Sequence, residues 1–256
     1  MSNTDMKPLR DRALLLAVDL DGTFLGGSDD ERRTLYGLVD RHRDDIALVY
    51  VTGRDIEFAS GVAGDGVAPS PDLIIGDVGT SVVVGPTWTP HTALQSWIDE
   101  CWPGPERAMQ VLEGRTYLAP QRVFGGRRLS YFYDNHAAAE KAAVDIEAAG
   151  YAALLSANVF FDVLPRGVNK GQTLLRLLAH EGFASERVLC AGDTMNDLSL
   201  FETGLRGVAV GNSEAPLRDA VADMRNVYCA RRHGAGGIVE AIAHFNLLPT
   251  AAIEVH

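Results

Sequence analysis

Short apolar runs alternate along the chain with segments whose apolar residues recur at helical spacing. The apolar runs predict strands at 13–18, 46–51, 73–75, 188–191 and 207–210. The helical spacing predicts helices over 29–41, 55–61, 170–180, 197–202, 214–221 and 237–245. Strands that alternate with helices are typical of βαβ units and a parallel sheet. We therefore predict an α/β fold with a Rossmann-like parallel sheet as its core.

The pattern changes in the middle of the chain, where four prolines stand between residues 85 and 106. Beyond them an alternating segment over 127–133 and an apolar run over 158–164 predict strands, and an alanine-rich stretch over 137–149 predicts a helix. This mixture favours an inserted α+β cap domain. The expected division is 85–165 for the cap, with 1–84 and 166–256 for the core.

Composition and charge narrow the class of protein. The 256 residues carry 23 Lys plus Arg against 34 Asp plus Glu, a formal net charge of −11. Nucleic acids and anionic membranes attract a dense positive surface, so we expect neither as a partner. The longest apolar runs are far shorter than the roughly 20 residues of a membrane span, and residues 1–12 lack the apolar segment of a secretion signal. We expect a cytoplasmic protein.

Polar turns directly follow four of the predicted strands. In an open parallel sheet, the carboxyl ends of the strands line the crevice in which ligands bind. We therefore expect these turns to meet at one place. They are Asp19-Leu20-Asp21-Gly22, Thr52-Gly53-Arg54, Gly76-Asp77-Val78-Gly79 and Gly192-Asp193-Thr194-Met195-Asn196-Asp197.

The first two turns carry residues suited to phosphate chemistry. A carboxylate at a strand end, such as Asp19, can attack phosphorus, and Asp21 can act as a general acid and then as a base. The Thr52 hydroxyl and the backbone amides of Gly53 and Arg54 could hold a phosphate at the start of the following helix. Asp and Gly are also ordinary turn residues, so each turn alone is equally consistent with a structural role.

Lys170 and the fourth turn add complementary charges. The chain has only three lysines, and Lys170 is predicted to begin a helix, where a cation opposes the helix dipole. Asp193 and Asp197 offer the hard oxygen ligands that Mg²⁺ prefers, although acidic residues also cap helices. Carboxylates about 4 Å apart repel by about 4 kcal/mol at an effective dielectric near 20. Together, a divalent cation and Lys170 would neutralise such a cluster.

These four segments, in this order, resemble the motifs of haloacid dehalogenase (HAD) superfamily phosphatases. The position of the insertion resembles the C2B cap type. The segments 71–80 and 162–172 are similar to sucrose-6-phosphate phosphatases and their mannosylfructose-phosphate relatives, although that group often has small residues in place of Thr194 and Met195. The resemblance implies hydrolysis of a phosphate monoester, and a HAD-like core with an inserted cap.

The resemblance also implies a role for each motif residue. Asp19 would attack phosphorus to form an aspartyl-phosphate, and Asp21 would protonate the leaving oxygen and then activate water. Thr52 and Lys170 would bind the phosphoryl oxygens. Mg²⁺ would be held by Asp19, the backbone carbonyl of Asp21 and Asp193, with support from Asn196 and Asp197.

The substrate is less narrowly indicated than the chemistry. We expect a disaccharide monophosphate such as sucrose-6-phosphate. Mannosyl-3-phosphoglycerate and hexose phosphates are alternatives, as is a non-catalytic protein that binds a phosphosugar. Arginine and aromatic side chains suit sugars, although exposed sheet surfaces use the same residues. The candidate sugar contacts in the cap are Arg122, Arg127, Arg128, Tyr131 and Tyr133.

Overall fold

A computed structural model describes residues 7–123 and 125–249, and it contains two β-sheets. The large sheet comprises β1 (Leu14–Val18), β2 (Ile46–Val51), β3 (Leu73–Gly76), β4 (Ser81–Val84), β5 (Thr89–Pro90), β10 (Val188–Gly192), β11 (Arg206–Ala209) and β12 (Val227–Cys229). The small sheet comprises β6 (Leu118–Pro120), β7 (Leu129–Tyr133), β8 (Ala152–Ser156) and β9 (Phe160–Leu164).

The helices occupy most of the segments between the strands. They are α1 (Asp29–Arg41), α2 (Ile56–Gly64), α3 (Thr92–Cys101), α4 (Glu106–Leu112), α5 (His136–Ala148), α6 (Lys170–Glu181), α7 (Leu198–Phe201), α8 (Ala215–Val221) and α9 (Gly234–His244). No helix of the described residues is both long and apolar enough to cross a membrane.

The large sheet has the strand order β12-β11-β10-β1-β2-β3-β4-β5, and it is parallel from β12 to β3. Strand β1 therefore lies between β2 and a strand from the far end of the chain, β10. Their side chains are buried throughout, which explains why these strands are continuous apolar runs. The predicted parallel α/β core is confirmed. Its topology places the ends of β10, β1, β2 and β3 side by side.

Helices cover both faces of this sheet. On one face Leu35 of α1 and Ile238 of α9 pack in a cluster with Leu16 and Leu48. On the other face Leu174 of α6 packs in a second cluster with Leu15 of β1 and Val49 of β2. Helix α1 has the bounds that the sequence predicts, and it begins with a capping box between Ser28 and Glu31.

Helix α9 begins at Gly234, earlier than the predicted start at residue 237. The first turn contains three glycines, which the helical pattern does not favour. The structure gives the reason: a Cβ at Gly234 would lie 2.2 Å from the backbone of Gly26, and one at Gly236 would lie 2.3 Å from the Glu31 carboxylate. The helix therefore approaches the β1–α1 connection so closely that only glycine fits.

The large sheet extends further along the chain than the sequence predicts. Strand β5 pairs with β4, and Leu94 and Ile98 of α3 pack in the same cluster as Ile75. The predicted cap boundary at residue 85 therefore does not match the packing. Proline suggested a change of domain, but Pro90 lies in the last strand at the edge of the sheet, where a residue without an N–H is tolerated.

We use the word cap for residues 106–164, which contain α4, α5 and the small sheet. That sheet is antiparallel, with the order β6-β7-β9-β8. One of its faces packs on the two helices, through Phe161 and Val163 on the sheet and Ala139 and Ile146 on α5. Strands β6 and β8 were not predicted, nor were β4 and the edge strands β5 and β12, which are too short to show a period.

Candidate active site

Asp19 directly follows β1 and is 6% exposed. Its backbone N–H donates to the carbonyl of Ala191 at 3.0 Å, which continues the pairing of β1 with β10. The turn then reverses at Gly22, where φ is +75° and a Cβ would lie 2.2 Å from Asp193 Oδ2. Glycine is needed at this position both for the backbone conformation and for the close approach of the second carboxylate.

Lys170 lies at the centre of the predicted motifs. Its side chain is fully buried, and its Nζ donates to Asp19 Oδ1 at 2.8 Å, to Asn196 Oδ1 at 2.7 Å and to Asp197 Oδ1 at 2.6 Å. Burial opposes the charge of the ammonium, but Asp19 and Asp197 outweigh it, so that the pKa of Lys170 is raised and the side chain stays protonated.

Asn169 places Lys170 by capping the helix. Its Oδ1 accepts from the backbone N–H of Gln172 at 2.8 Å, so that α6 begins with Lys170 as its first residue. The loop that contains Gly79 lies against the same helix end, where a Cβ at Gly79 would come within 2.4 Å of the Asn169 backbone. Thr173 Oγ1 donates to the carbonyl of Gly79 at 2.8 Å.

Three buried carboxylates surround this lysine. Oxygens of Asp19, Asp193 and Asp197 all lie within 4.8 Å of one another. Burial, followed by the charge of Asp197, raises the pKa of Asp193 to about 7. Burial likewise raises the pKa of Asp19, although Lys170 acts in the opposite direction. One ammonium therefore does not compensate three carboxylates, and the cluster favours a further cation.

The donor set fits a divalent metal ion. Asp193 Oδ1 accepts from Thr23 Oγ1 at 2.9 Å, and Asp193 Oδ2 points across Gly22 toward the first turn. Asp197 is engaged elsewhere, because its Oδ2 accepts from the N–H groups of Asp193 and Thr194 at 3.0 and 3.1 Å while its Oδ1 accepts from Lys170. Asp19 and Asp193 are thus the carboxylates most suited to hold the ion, and carboxylate oxygens suit hard cations.

The turn after β2 adjoins this cluster. A Cβ at Gly53 would lie 3.5 Å from Asn196 Nδ2, and Thr52 is almost fully buried. Thr52 Oγ1 accepts from the backbone N–H of Arg54 at 3.1 Å. The expected phosphate-binding turn is therefore brought beside Asn196, one of the partners of Lys170.

The side chain of Arg54 forms an ion pair with Asp21. Its Nε donates to Asp21 Oδ2 at 2.6 Å, and its guanidinium lies 4.6 Å from the centre of the Phe58 ring. Both partners of the ion pair are half-exposed. Asp21 is thus held at the mouth of the crevice, whereas Asp19 lies at its base.

The five candidate sugar contacts in the cap are placed less uniformly. Tyr131 and Tyr133 lie on the sheet face that packs on α4 and α5, and the Tyr133 hydroxyl is 2.9 Å from His136 Nδ1. Arg122 is exposed on the loop after β6. Arg127 pairs with the carboxylate of Asp99 on α3, and Arg128 pairs with Asp77 and Asp162. The two neighbouring arginines therefore contact carboxylates of the core.

Sequence reasoning missed several residues that support the site. Asn212 Nδ2 donates to the carbonyl of Gly22 at 2.9 Å, and Asn212 Oδ1 accepts from the N–H of Gly234 at 2.8 Å. Thr23, the partner of Asp193, lies one residue beyond the first turn. These residues contact the site through the folded backbone, so that no local spacing identifies them.

A second cluster lies at the opposite end of α6. His91 Nε2 and His180 Nδ1 are 3.3 and 3.1 Å from Glu181 Oε1. The spacing of the histidines in the sequence gave no sign of this group. Because His91 Nδ1 accepts from the N–H of Leu94 at 3.4 Å, the ring proton lies on Nε2 and points at Glu181. These contacts are those of a helix cap and of hydrogen bonds between imidazole rings and a carboxylate.

Comparison with known proteins agrees with the fold. The structure aligns with the sucrose-phosphatase of Synechocystis sp. PCC6803, solved in complex with sucrose and phosphate, with a TM-score of 0.85 and 28% identity over 93% of this chain and 100% of that one. The protein is a HAD-superfamily phosphatase, a phosphoric monoester hydrolase of the sugar phosphatase type.

The chain belongs to the sucrose-6F-phosphate phosphohydrolase family, whose model matches residues 12–246. It is 31% identical to the mannosylfructose-phosphate phosphatase of Agrobacterium fabrum, over 95% of this chain and 100% of the relative. It is 43% identical to the glucosylglycerol-phosphate synthase of Pseudomonas anguilliseptica over 92% of this chain. The chain spans only 31% of the length of that synthase.

Proposed function

We propose that this protein is a Mg²⁺-dependent phosphatase of a disaccharide monophosphate, with sucrose-6-phosphate as the first candidate substrate. The observation that carries the proposal is the contact of buried Asp19 with Lys170, beside Asp193. An acidic pocket of this kind becomes attractive to a phosphate dianion once a divalent cation and a lysine offset its charge.

In the proposed reaction, a carboxylate oxygen of Asp19 attacks phosphorus while the bond from phosphorus to the sugar oxygen breaks. Asp21, which Arg54 holds at the mouth of the crevice, gives its proton to the departing sugar oxygen. Asp21 then accepts a proton from water as that water attacks the aspartyl-phosphate. Inorganic phosphate leaves, and the Asp19 carboxylate is restored.

The remaining residues bind and orient the phosphoryl group. Lys170, the Thr52 hydroxyl and the backbone N–H of Gly53 would contact its oxygens, whereas the N–H of Arg54 supports the turn by donating to Thr52 Oγ1. Asp19, Asp193 and the backbone carbonyl of Asp21 would hold Mg²⁺, while Asn196 and Asp197 orient Lys170 and the fourth turn. When bound, the ion supplies positive charge that stabilises the negative charge of the transferring group.

A second candidate substrate is a glucosylglycerol phosphate. It is favoured by the 43% identity to a protein that is named for that product, against 28–31% for the sucrose and mannosylfructose phosphatases described above. Both candidates are phosphate esters of a glycoside, so that the chemistry at Asp19 would be the same and only contacts of the leaving group would differ.

A phosphate-release screen with Mg²⁺ would separate these candidates. The panel is sucrose-6-phosphate, mannosylfructose-phosphate, glucosylglycerol-phosphate, mannosyl-3-phosphoglycerate and glucose-6-phosphate. We expect kcat/KM for one of the glycoside phosphates to exceed that for glucose-6-phosphate by at least about tenfold, since each 1.4 kcal/mol of added leaving-group contact gives that factor. Absence of release from every compound, by a folded protein, would contradict a phosphatase function.

A further inference from the structure

In the turn that contains Thr52, Gly53 and Arg54, each of the three backbone carbonyls accepts a hydrogen bond. The N–H of Val78 donates to the carbonyl of Thr52 at 3.1 Å, and the N–H of Asp77 donates to the carbonyl of Arg54 at 2.8 Å. The carbonyl between them, that of Gly53, accepts from Arg128 Nη2 at 3.3 Å. Two of the donors belong to the core, whereas the third is a side chain of the cap.

Two carboxylates hold the Arg128 side chain in the position of this contact. Its Nη1 donates to Asp162 Oδ1 of the cap at 3.0 Å, and its Nη2 also donates to Asp77 Oδ1 of the core at 3.1 Å. The side chain is 12% exposed, and its Nε is buried without a hydrogen-bond partner among the described residues. The planar guanidinium group is therefore oriented by its hydrogen bonds to the two carboxylates and to the Gly53 carbonyl.

One partner of Arg128 belongs to the cap and two belong to the core. Asp162 lies on β9, which pairs with the strand that Arg128 precedes, so that this ion pair lies within the cap. Asp77 and Gly53 belong to core loops beside the crevice. Asp77 Oδ2 accepts from Ser81 Oγ at 3.0 Å, which fixes the core carboxylate to receive the guanidinium.

The backbone at Asp77 is itself unusual. Asp77 has φ +52° and Val78 has φ +59°, a left-handed conformation that is costly for a β-branched residue. This conformation turns both N–H groups toward the carbonyls of Thr52 and Arg54. The strained segment therefore acts as a brace for the phosphate-binding turn, and Arg128 adds a third hydrogen bond to it from the cap.

We propose that Arg128 is a positioning residue that couples the seating of the cap to the alignment of the phosphate-binding turn. Resting on the function proposed above, this inference assigns to Arg128 a role distinct from contact with the sugar. With Arg128 in place, the Gly53 carbonyl is held, and the N–H of the same peptide unit, that of Arg54, donates to Thr52 Oγ1 and so positions that hydroxyl for the phosphoryl group. Without it, the cap can cover the crevice while the turn is left partly unsupported.

The neighbouring pair Arg127–Asp99 provides a matched control. It also joins the start of β7 to the core, because Asp99 lies on α3, which packs on the large sheet. Asp99 is half-exposed, and in the described part of the chain Arg127 donates to Asp99 and to the carbonyl of Gly125 rather than to the phosphate-binding turn. Asp99→Asn therefore weakens a bridge from cap to core without touching the brace.

The test measures binding of orthovanadate, which takes up the five-coordinate geometry of phosphoryl transfer, by its protection of the protein against thermal unfolding in the presence of Mg²⁺. The variants are Arg128→Met, Asp77→Asn and Asp99→Asn. We expect Arg128→Met to weaken vanadate binding by about 10- to 100-fold, the factor for a lost hydrogen bond to a charged group. Asp77→Asn should weaken it in the same direction, and Asp99→Asn by less than about twofold.

Asp77→Asn guards against a misfolded Arg128 variant, because asparagine accepts a left-handed backbone readily and can still accept from Ser81. In turnover, Arg128→Met and Asp77→Asn should lower kcat, whereas a role in sugar contact alone would raise KM. Vanadate binding that is equal in Arg128→Met and wild type, or equally weakened in Asp99→Asn, would overturn the coupling.

The same measurement separates this inference from the proposed function. If vanadate protects wild type but no sugar phosphate is hydrolysed, the proposed substrate class is wrong, while the comparison of Arg128→Met with Asp99→Asn still decides the coupling. If vanadate with Mg²⁺ gives wild type no protection, the phosphate site itself is wrong and the coupling is overturned with it.

Discussion

In the core crevice, the charged side chains directly follow the ends of buried parallel strands, whereas in the cap they stand before a strand or in its middle. Asp19 and Asp193 come one residue after β1 and β10, and the sheet register brings them together. In the cap, Arg128 precedes β7 and Asp162 lies within β9, and their neighbours depend on how the cap sits on the core. The comparison shows that site residues at the ends of parallel strands can be predicted from the local sequence. Contacts between the cap and the core cannot be predicted in this way.

The two regions also differ in how they compensate buried charge. In the cap–core contact, one arginine lies between two carboxylates, Asp77 and Asp162, so that the fork satisfies both. In the crevice, Lys170 contacts two of three clustered carboxylates, and Asp193 is left with a hydroxyl partner. Each carboxylate of the cap–core contact therefore has a cationic partner, whereas a further cation would be needed to compensate the carboxylates of the crevice.

The largest expected effect is that of Asp19→Asn. Removal of a covalent nucleophile should lower kcat by at least about 1,000-fold. The fold should persist, because asparagine can still accept from Lys170. Phosphate release measured beside circular dichroism checks this expectation. A folded variant that retains more than about a thousandth of wild-type activity would contradict an attack by Asp19.

Lys170→Met should be the most destabilising change in the crevice. It leaves buried carboxylates without their cation, and breaking a buried ion pair costs about 3–5 kcal/mol. Urea unfolding in the absence of divalent ions measures this loss. The double variant Lys170→Met/Asp197→Asn should regain part of it, because one of the uncompensated charges is removed. Strictly additive losses would argue that the lysine and Asp197 are not energetically coupled.

Removal of divalent ions tests whether the carboxylates of the crevice need a metal ion, whereas those of the cap–core contact are paired with Arg128. A chelator should abolish phosphate release, and Mg²⁺ at about 100 times its dissociation constant should stabilise wild type by about 2.7 kcal/mol. Thermal unfolding with and without Mg²⁺ checks the shift. The same titration of Asp193→Asn should show little stabilisation; an undiminished shift would place the ion elsewhere.

The smallest expected effects come from one matched change in each region. Ile74→Val in the core sheet and Ile146→Val in α5 each remove one methylene from a fully buried side chain, at a cost of about 0.5–1.5 kcal/mol. If the core and the cap unfold together, both variants should shift one common transition in calorimetry. Two transitions, with each variant shifting only one, would show that the cap unfolds on its own.

The elements that the sequence predicted best are those whose pattern is long or continuous. Helix α1 was predicted to the residue from its helical spacing, and the structure adds a capping box at its start. Strands β1 and β2 are unbroken apolar runs. Strand β5 was missed since it has two residues, one of them proline, and the cap boundary was placed too early for the same reason. Pairing with β4, rather than any local preference, makes that segment a strand.

The residues of the candidate site also divide into those that local sequence identified and those whose contacts it did not. Asp19, Thr52, Lys170 and Asp193 were singled out from turns and from one unusual lysine, and the structure brings these motifs into one crevice. Arg127 and Arg128 were noted as polar groups of the cap, but their carboxylate partners lie 28 to 51 residues away in the sequence. Tyr131 was expected to contact the sugar, yet strand alternation and the packing of α5 place it on the other side of the cap sheet.

By itself, the sequence determined which segments form the buried strands and which polar residues follow them, because burial on both faces demands unbroken apolar runs and the turns at their ends admit polar side chains. Only the tertiary structure decided the partner of each charge, since a hydrogen bond depends on distances that the chain sets after it has folded back on itself. The proximity of Asp193 to Gly22, and the reach of Arg128 from the cap to the Gly53 carbonyl, are of this second kind.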